Sequence, residues 1–174
     1  MNQNATDQNA TDREGTVVEE TEQQRRATGG MAVKLAHIAI VVEDLPAAVA
    51  FFAELGLDLE GEAALDGDTV DRLCGFDGVR SNIAMMRTED RNGRLELIKY
   101  QTPSWQGDNP SPAPNTPGIR HIVFQVADIE EVIDRLRPLG ADIVGELVQY
   151  ENSYRLCYVR GPEGIIIELA QRIG

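Results

Sequence analysis

The chain has 174 residues, a formal net charge of −13 and 42% hydrophobic residues. A balance this acidic argues against nucleic acid or an anionic membrane surface as partner, since both demand a basic face, and no apolar run reaches membrane-spanning length. The length suits one domain, or two half-domains sharing a core.

Residues 1–30 contain a doubled Gln-Asn-Ala-Thr-Asp, no aromatic residue and few apolar ones. Such a segment buries too little surface to offset the entropy of ordering, so it reads as a disordered tail. It has no basic start followed by an apolar run, so it does not read as a secretory leader. Cys74 and Cys157 lack metal-site spacing and read as reduced structural thiols, consistent with a cytoplasmic protein.

Residues 31–174 read as a single domain built from one unit used twice. His37-Ile-Ala-Ile-Val-Val-Glu-Asp-Leu and its continuation to Glu62 align without a gap onto His121-Ile-Val-Phe-Gln-Val-Ala-Asp-Ile and its continuation to Glu146, at a constant offset of 84. Self-similarity at a fixed offset means a duplicated supersecondary unit, each copy covering the apolar face of the other. His37 and His121 are the only His in the chain.

In chain order, residues 35–42 form an aliphatic, β-branched strand. Asp44 followed by Pro46 starts a helix whose apolar face is Val49, Phe51, Phe52 and Leu55, closed by Gly56. Strands are predicted at 57–61, 79–87 and 94–100, the last two joined by a hairpin turn at 89–93. The excursion 63–78 is either a short helix or a solvated loop. Residues 101–118 carry five Pro and form the connector between a first unit, 33–100, and a second, 119–171. In the second unit a strand from His121 leads to a helix started by Asp128 and closed by Gly140, followed by strands at 142–148, 153–160 and 165–170. Each unit is βαβββ, an α+β organisation.

Alternate strand residues share a face. His37 lies with Ala39 and Val41, opposite Ile38, Ile40 and Val42. His121 lies with Val123 and Gln125, opposite Ile122, Phe124 and Val126. Glu96 and Glu168 each sit between apolar neighbours, Leu95 and Leu97 in one case and Ile167 and Leu169 in the other. A carboxylate so placed must be paired, protonated or bound to a cation, because burying it bare costs several kcal/mol. Two imidazoles with two carboxylates would neutralise a divalent ion, and mixed nitrogen and oxygen donors suit Zn, Ni, Co, Fe or Mn. The plainer readings are a strand His that merely packs and a strand Glu that faces water.

A His near the start of each βαβββ unit with a Glu on its last strand resembles the vicinal oxygen chelate superfamily, which includes glyoxalase I, methylmalonyl-CoA epimerase, extradiol dioxygenases and the fosfomycin and bleomycin resistance proteins. The resemblance is carried by the two His-headed segments, Arg94-Leu-Glu96-Leu and Gly161-Pro-Glu-Gly-Ile-Ile-Ile-Glu168-Leu. It implies two tandem units forming an open, barrel-like mixed sheet around a central cleft. It also implies a divalent metal held there by His37, Glu96, His121 and Glu168.

The His/Glu/His/Glu set resembles that of glyoxalase I, whereas the epimerase has Gln where this chain has Glu96. Extradiol dioxygenases need a further acid-base His that this chain lacks. The implied activity is a lyase or isomerase reaction: abstraction of a proton next to a carbonyl or hemithioacetal carbon through a metal-stabilised enediolate. Glu168 is the implied base, and Glu96 either returns the proton or stays a ligand. An epimerase-like isomerase and a non-catalytic antibiotic-binding resistance protein are the alternatives. The implied partners are a small-molecule substrate, such as a thiol adduct or thioester, and a second copy in a homodimer. Arg80, Arg87, Arg94, Arg120, Arg155 and Arg160 are the candidate anchors for the anionic part of such a substrate, with Met85, Tyr100, Trp105 and Tyr154 as candidate pocket lining.

Overall fold

Alternation of Ile38, Ile40 and Val42 with Ala39 and Val41 sets the first strand, β1 (Ile38–Val41). It is shorter than the pattern predicts, because Leu35 is exposed and finds no partner strand, and His37 stands just before the strand begins. Asp44 then starts α1 (Leu45–Leu55) by accepting the Ala47 N–H at 2.9 Å. Pro46 sits in the first turn, where a missing N–H leaves no bond unmade. Gly56 ends the helix in the left-handed region, at φ 112°.

β2 (Leu57–Asp66), α2 (Asp68–Cys74), β3 (Arg80–Thr88) and β4 (Arg94–Thr102) complete the first unit. The second contains β5 (His121–Val126), α3 (Ile129–Leu136), β6 (Asp142–Tyr150), β7 (Tyr154–Arg160) and β8 (Ile166–Arg172). This computed structural model describes residues 33–107 and 111–174; the predicted disordered tail and a short piece of the connector lie outside the described residues.

Two details differ from expectation. β2 runs on to Asp66, its last residues pairing with the start of β3, so the first quarter of the predicted excursion is strand. Only then comes a helix, α2, which resolves the remainder in favour of the helical alternative. α3 ends before Gly140, because Pro138 has no N–H to continue the ladder. Arg137–Leu139 tightens into a 3-10 turn, which Gly140 closes at φ 87°.

The strands form two four-stranded mixed sheets, ordered β1-β4-β3-β2 and β5-β8-β7-β6. In each, the first strand of the unit runs parallel beside the last, and the remaining pairs are antiparallel. The fold is α+β, with two tandem βαβββ units forming an open, unclosed sheet. β2 is an edge strand whose residues are mostly exposed and often charged, which discourages pairing with another chain there.

One face of each sheet is covered by a helix, and the two helices also touch, so the core is common to both units. Phe51 and Phe52 of α1 meet Met86 and Leu97 below them and Ile129, Leu136, Val159, Ile167 and Leu169 from the second unit in one cluster. Each such side chain contributes about 1.5–3 kcal/mol by leaving water. Polar contacts align the halves: Arg135 Nε donates to Glu54 Oε1 at 2.6 Å, and the Glu43 N–H donates to Glu163 Oε1 at 2.7 Å. Gly161, in the turn between β7 and β8, lies directly against the Phe51 ring.

An alanine at Gly161 would place its Cβ 2.9 Å from Phe51 Cζ. Gly161→Ala should therefore lower stability by about 1–3 kcal/mol in denaturant unfolding. Adding Phe51→Leu should recover part of the loss, and the two changes should be non-additive.

Candidate metal centre

The covered face of each sheet accounts for the apolar flanks of Glu96 and Glu168; their own side chains project to the other, open face. Parallel pairing places Ala39 opposite Glu96 and Val123 opposite Glu168. In both units the residue opposite the Glu is therefore the one two positions after the His. The equality holds although Glu96 follows His37 by 59 residues and Glu168 follows His121 by 47. The extra length of the first unit is taken up at the sheet edge by the extended β2 and by α2, so the register at β1 and β4 is undisturbed.

The outcome is the same pair twice. His37 Nε2 lies 3.1 Å from Glu96 Oε2, and His121 Nε2 lies 3.1 Å from Glu168 Oε2. Side-chain exposures are 39% and 17% in the first pair and 37% and 17% in the second. Both carboxylates are thus half-sheltered and partnered, while both imidazoles reach solvent. Among the described residues no three His, Cys, Asp or Glu side chains converge as one metal set. A single copy brings the four predicted residues together as two pairs.

The surroundings of the pairs differ. Tyr158, opposite Glu168 on β7, stacks on His121 with ring centroids 5.2 Å apart. At the equivalent place in the first sheet Met85 lies opposite Glu96. Tyr158 is absent from the predicted pocket, although its even spacing from Tyr154 along an alternating strand was the available signal. Trp105 lies exposed in the connector, outside both sheets.

Tyr100 lies on the open face with Glu96. Its hydroxyl is 3.8 Å from Cys74 Sγ at the end of α2. The contact with Cys74, then burial, and finally the negative charge of Glu96 push this phenol above its ordinary value, which keeps it neutral.

All but one of the predicted anionic anchors are committed elsewhere. Arg94 Nη2 lies 2.7 Å from Glu60 Oε2, and Arg87 Nε pairs with Glu60 Oε1. Burial tends to raise the Glu60 carboxyl, but the two guanidiniums prevail and hold it below the usual range. Arg155 Nη2 donates to Glu130 at 2.9 Å. Arg160 donates to the carbonyls of Pro112 and Gly164 at 3.3 and 2.9 Å, pinning the connector to the turn before β8. Arg80 donates to Thr102 Oγ1. Arg120 precedes β5, and its Nε is buried without a hydrogen-bond partner.

A family model for the Glyoxalase/Bleomycin resistance protein/Dioxygenase superfamily matches residues 34–169. The chain belongs to this superfamily. It is 44% identical to a glyoxalase family protein from Bacillus cereus whose crystal structure superposes with a TM-score of 0.79, covering 83% of this chain and 97% of that one. YwbC, an uncharacterized protein of Bacillus subtilis, is 30% identical over 145 residues, 82% of this chain and all of the relative. The fosfomycin resistance protein FosX from Listeria monocytogenes, crystallised in a mutant form with Mn(II) and 1S,2S-dihydroxypropylphosphonic acid, is 17% identical. It shares the fold, with a TM-score of 0.52 over 80% of this chain and 90% of its own.

The superfamily includes metal-dependent enzymes and resistance proteins, and a divalent metal is common among them. The donor chemistry here fits such an ion. Two donors on adjacent corners of a coordination sphere with bonds of about 2.1 Å stand roughly 3.0–3.4 Å apart, and each His–Glu pair is set at 3.1 Å. Each pair supplies one nitrogen and one oxygen, half of a four-ligand sphere. No helix among the described residues is long and apolar enough to cross a membrane.

The two thiols of the site region and the core separate cleanly. Burial pushes the Cys157 thiol up to about 11, whereas Cys74 is partly exposed. A maleimide should label Cys74 in the native protein, and Cys157 only on unfolding. Because the folded-state value is raised, the stability contributed by Cys157 is fully present below about 9 and is lost as pH climbs toward about 11. Denaturation midpoints measured from pH 8 to 11 should fall, and less so in Cys157→Ala.

Proposed function

We propose that this protein is a metal-dependent enzyme that abstracts a proton next to a carbonyl carbon, of the glyoxalase-like lyase or isomerase type. The observation that supports this reading best is the repeated His–Glu pair, built in the same strand register with the same 3.1 Å separation in both units. A structural ion pair has no need of such repetition, nor of an open face on which both imidazoles reach solvent.

The pairs join when the open face carrying His37 and Glu96 in one copy meets the open face carrying His121 and Glu168 in a second. A homodimer of this kind holds two equivalent four-ligand sites. It also covers exposed apolar residues on those faces, among them Val41 and Val123, 52% and 51% exposed. When bound, a divalent ion supplies Lewis acidity toward the substrate oxygen, an effect of several kcal/mol.

The residues of the chain do the rest. Glu168 takes the carbon-bound proton, and the electrons of that C–H bond move toward the carbonyl oxygen. Glu96, from the facing sheet, returns a proton to the carbon skeleton or remains a ligand. His37 and His121 orient the carboxylates. Were a divalent ion held by these residues, Glu168 would be a weaker base while attached to it than when free.

Metal analysis and complementation test this reading together. The full chain dialysed against Mn, Co, Ni or Zn should bind one ion per chain. His37→Ala and Glu168→Gln should each weaken binding by more than the roughly 10- to 100-fold that loss of an outer-sphere partner costs. A chain carrying His37→Ala with Glu96→Gln and another carrying His121→Ala with Glu168→Gln should both be empty, and mixing them should restore one ion per dimer. Turnover of methylglyoxal with glutathione, or of methylmalonyl-CoA, would identify one of those branches, and inactivity on both directs the assay to an uncharged α-hydroxyketone. Absence of stoichiometric metal at all four ions would refute the enzyme reading, and an empty mixture would refute its assembly from two copies.

A further inference from the structure

We infer that the substrate of this site is a small uncharged molecule with an apolar or aromatic body, and that phosphate esters and the conjugates of anionic thiols are excluded. The inference rests on the proposed site and names the chemistry it recognises.

Four cations project onto the open faces beside the His–Glu pairs, and each is already held by the chain. Arg87 and Arg94 share Glu60, and Asp58 stands directly across the strand pair from Arg87. Arg160 donates to two backbone carbonyls, and Arg172 Nε donates to the Gly174 carbonyl at 2.9 Å. A phosphate or a peptide carboxylate would have to displace these bonds while approaching a chain of net charge −13. Within a Debye length of about 8 Å that field repels polyanions and does not act on neutral molecules.

The surface next to the metal-binding pairs is apolar instead. In the first sheet Met85 lies opposite Glu96 and Ile83 opposite Ile98, all on the open side. In the second, Tyr158 stacks on His121, and further along the same face Tyr154 stands opposite Tyr150, 37% and 58% exposed. Aromatic rings leading away from a pair of metal donors offer offset or edge contacts to a flat ligand, with no demand for charge. The oxygens of such a ligand reach the metal pair while its body lies along the tyrosines.

Binding to the full-length metal-loaded protein tests this, using 2-hydroxyacetophenone as a neutral aromatic probe. Dihydroxyacetone phosphate and S-methylglutathione serve as anionic probes. The neutral probe should bind at least about tenfold more tightly than either, with an affinity unchanged between 0.05 and 0.5 M salt. Tyr158→Ala should weaken it about tenfold, and Tyr158→Phe should retain it. Glu60→Gln, which frees Arg87 and Arg94, should strengthen the phosphate probe alone.

Tighter binding of either anionic probe, weakening with salt, would overturn the inference and leave the metal reading standing. Repeating the series with EDTA separates the two. If the metal reading fails, EDTA changes none of the affinities; if both hold, EDTA weakens the neutral probe and preserves the order. Equal affinity of all probes in both series would overturn the inference.

Discussion

Parallel pairing of the first strand of each unit with its last is the constraint on which everything else depends. Antiparallel neighbours can be joined by a short turn, but a parallel pair requires the chain to cross over and return. Between β1 and β4 it does so through α1, β2, α2 and β3; between β5 and β8 through α3, β6 and β7. The crossover helix must pack on one face of the sheet, which commits that face to the core. The other face is left open, and there the pairing sets a His beside a Glu from 59 or 47 residues away. Neither residue needs local help, because the register supplies the partner.

Duplication explains why the core and the open faces divide as they do. Each unit by itself packs one helix across its four strands, too little to exclude water from Phe51, Phe52 or Ile167. Joined through α1 and α3, the covered faces share one cluster in which these residues are fully buried. That arrangement uses the helical sides to hold the two units together. The sides carrying His37 and His121 remain open, so the core and the proposed site occupy opposite surfaces of the same strands.

The sequence made the unit and its pairs legible because both depend on short-range regularities. The offset of 84 exposed the duplication, Asp44 and Asp128 marked helix starts that their side chains do cap, and parity separated His37 from Ile38. What stayed hidden was set by contacts between distant segments. The length of β2 depends on how far β3 can accompany it, which no residue near Gly61 announces. Arg87 and Arg94 looked like free anchors because Glu60 lies at a register shift in β2, and only the folded sheet brings it between them. Tyr158 is set beside Glu168 only by the pairing of β7 with β8.

Those same contacts change the chemistry of the site. A glyoxalase-like ligand set by itself suggests a thiol conjugate, and a row of arginines near the strand ends would suit its carboxylates. Once Glu60 has taken two of the guanidiniums and backbone carbonyls bind the others, positive charge near the pairs serves to hold strand edges and the connector in place. The site is then bounded by Met85, Ile83, Tyr154 and Tyr158, a surface whose favourable interactions are burial and ring contact. Specificity in such a setting comes from differential cost: an uncharged ligand gives up little hydration on entering, whereas an anion must lose its water and finds the arginines of the open faces already engaged. In the proposed site the repeated pair would select the oxygens of the ligand, and the engaged arginines would select against its charge.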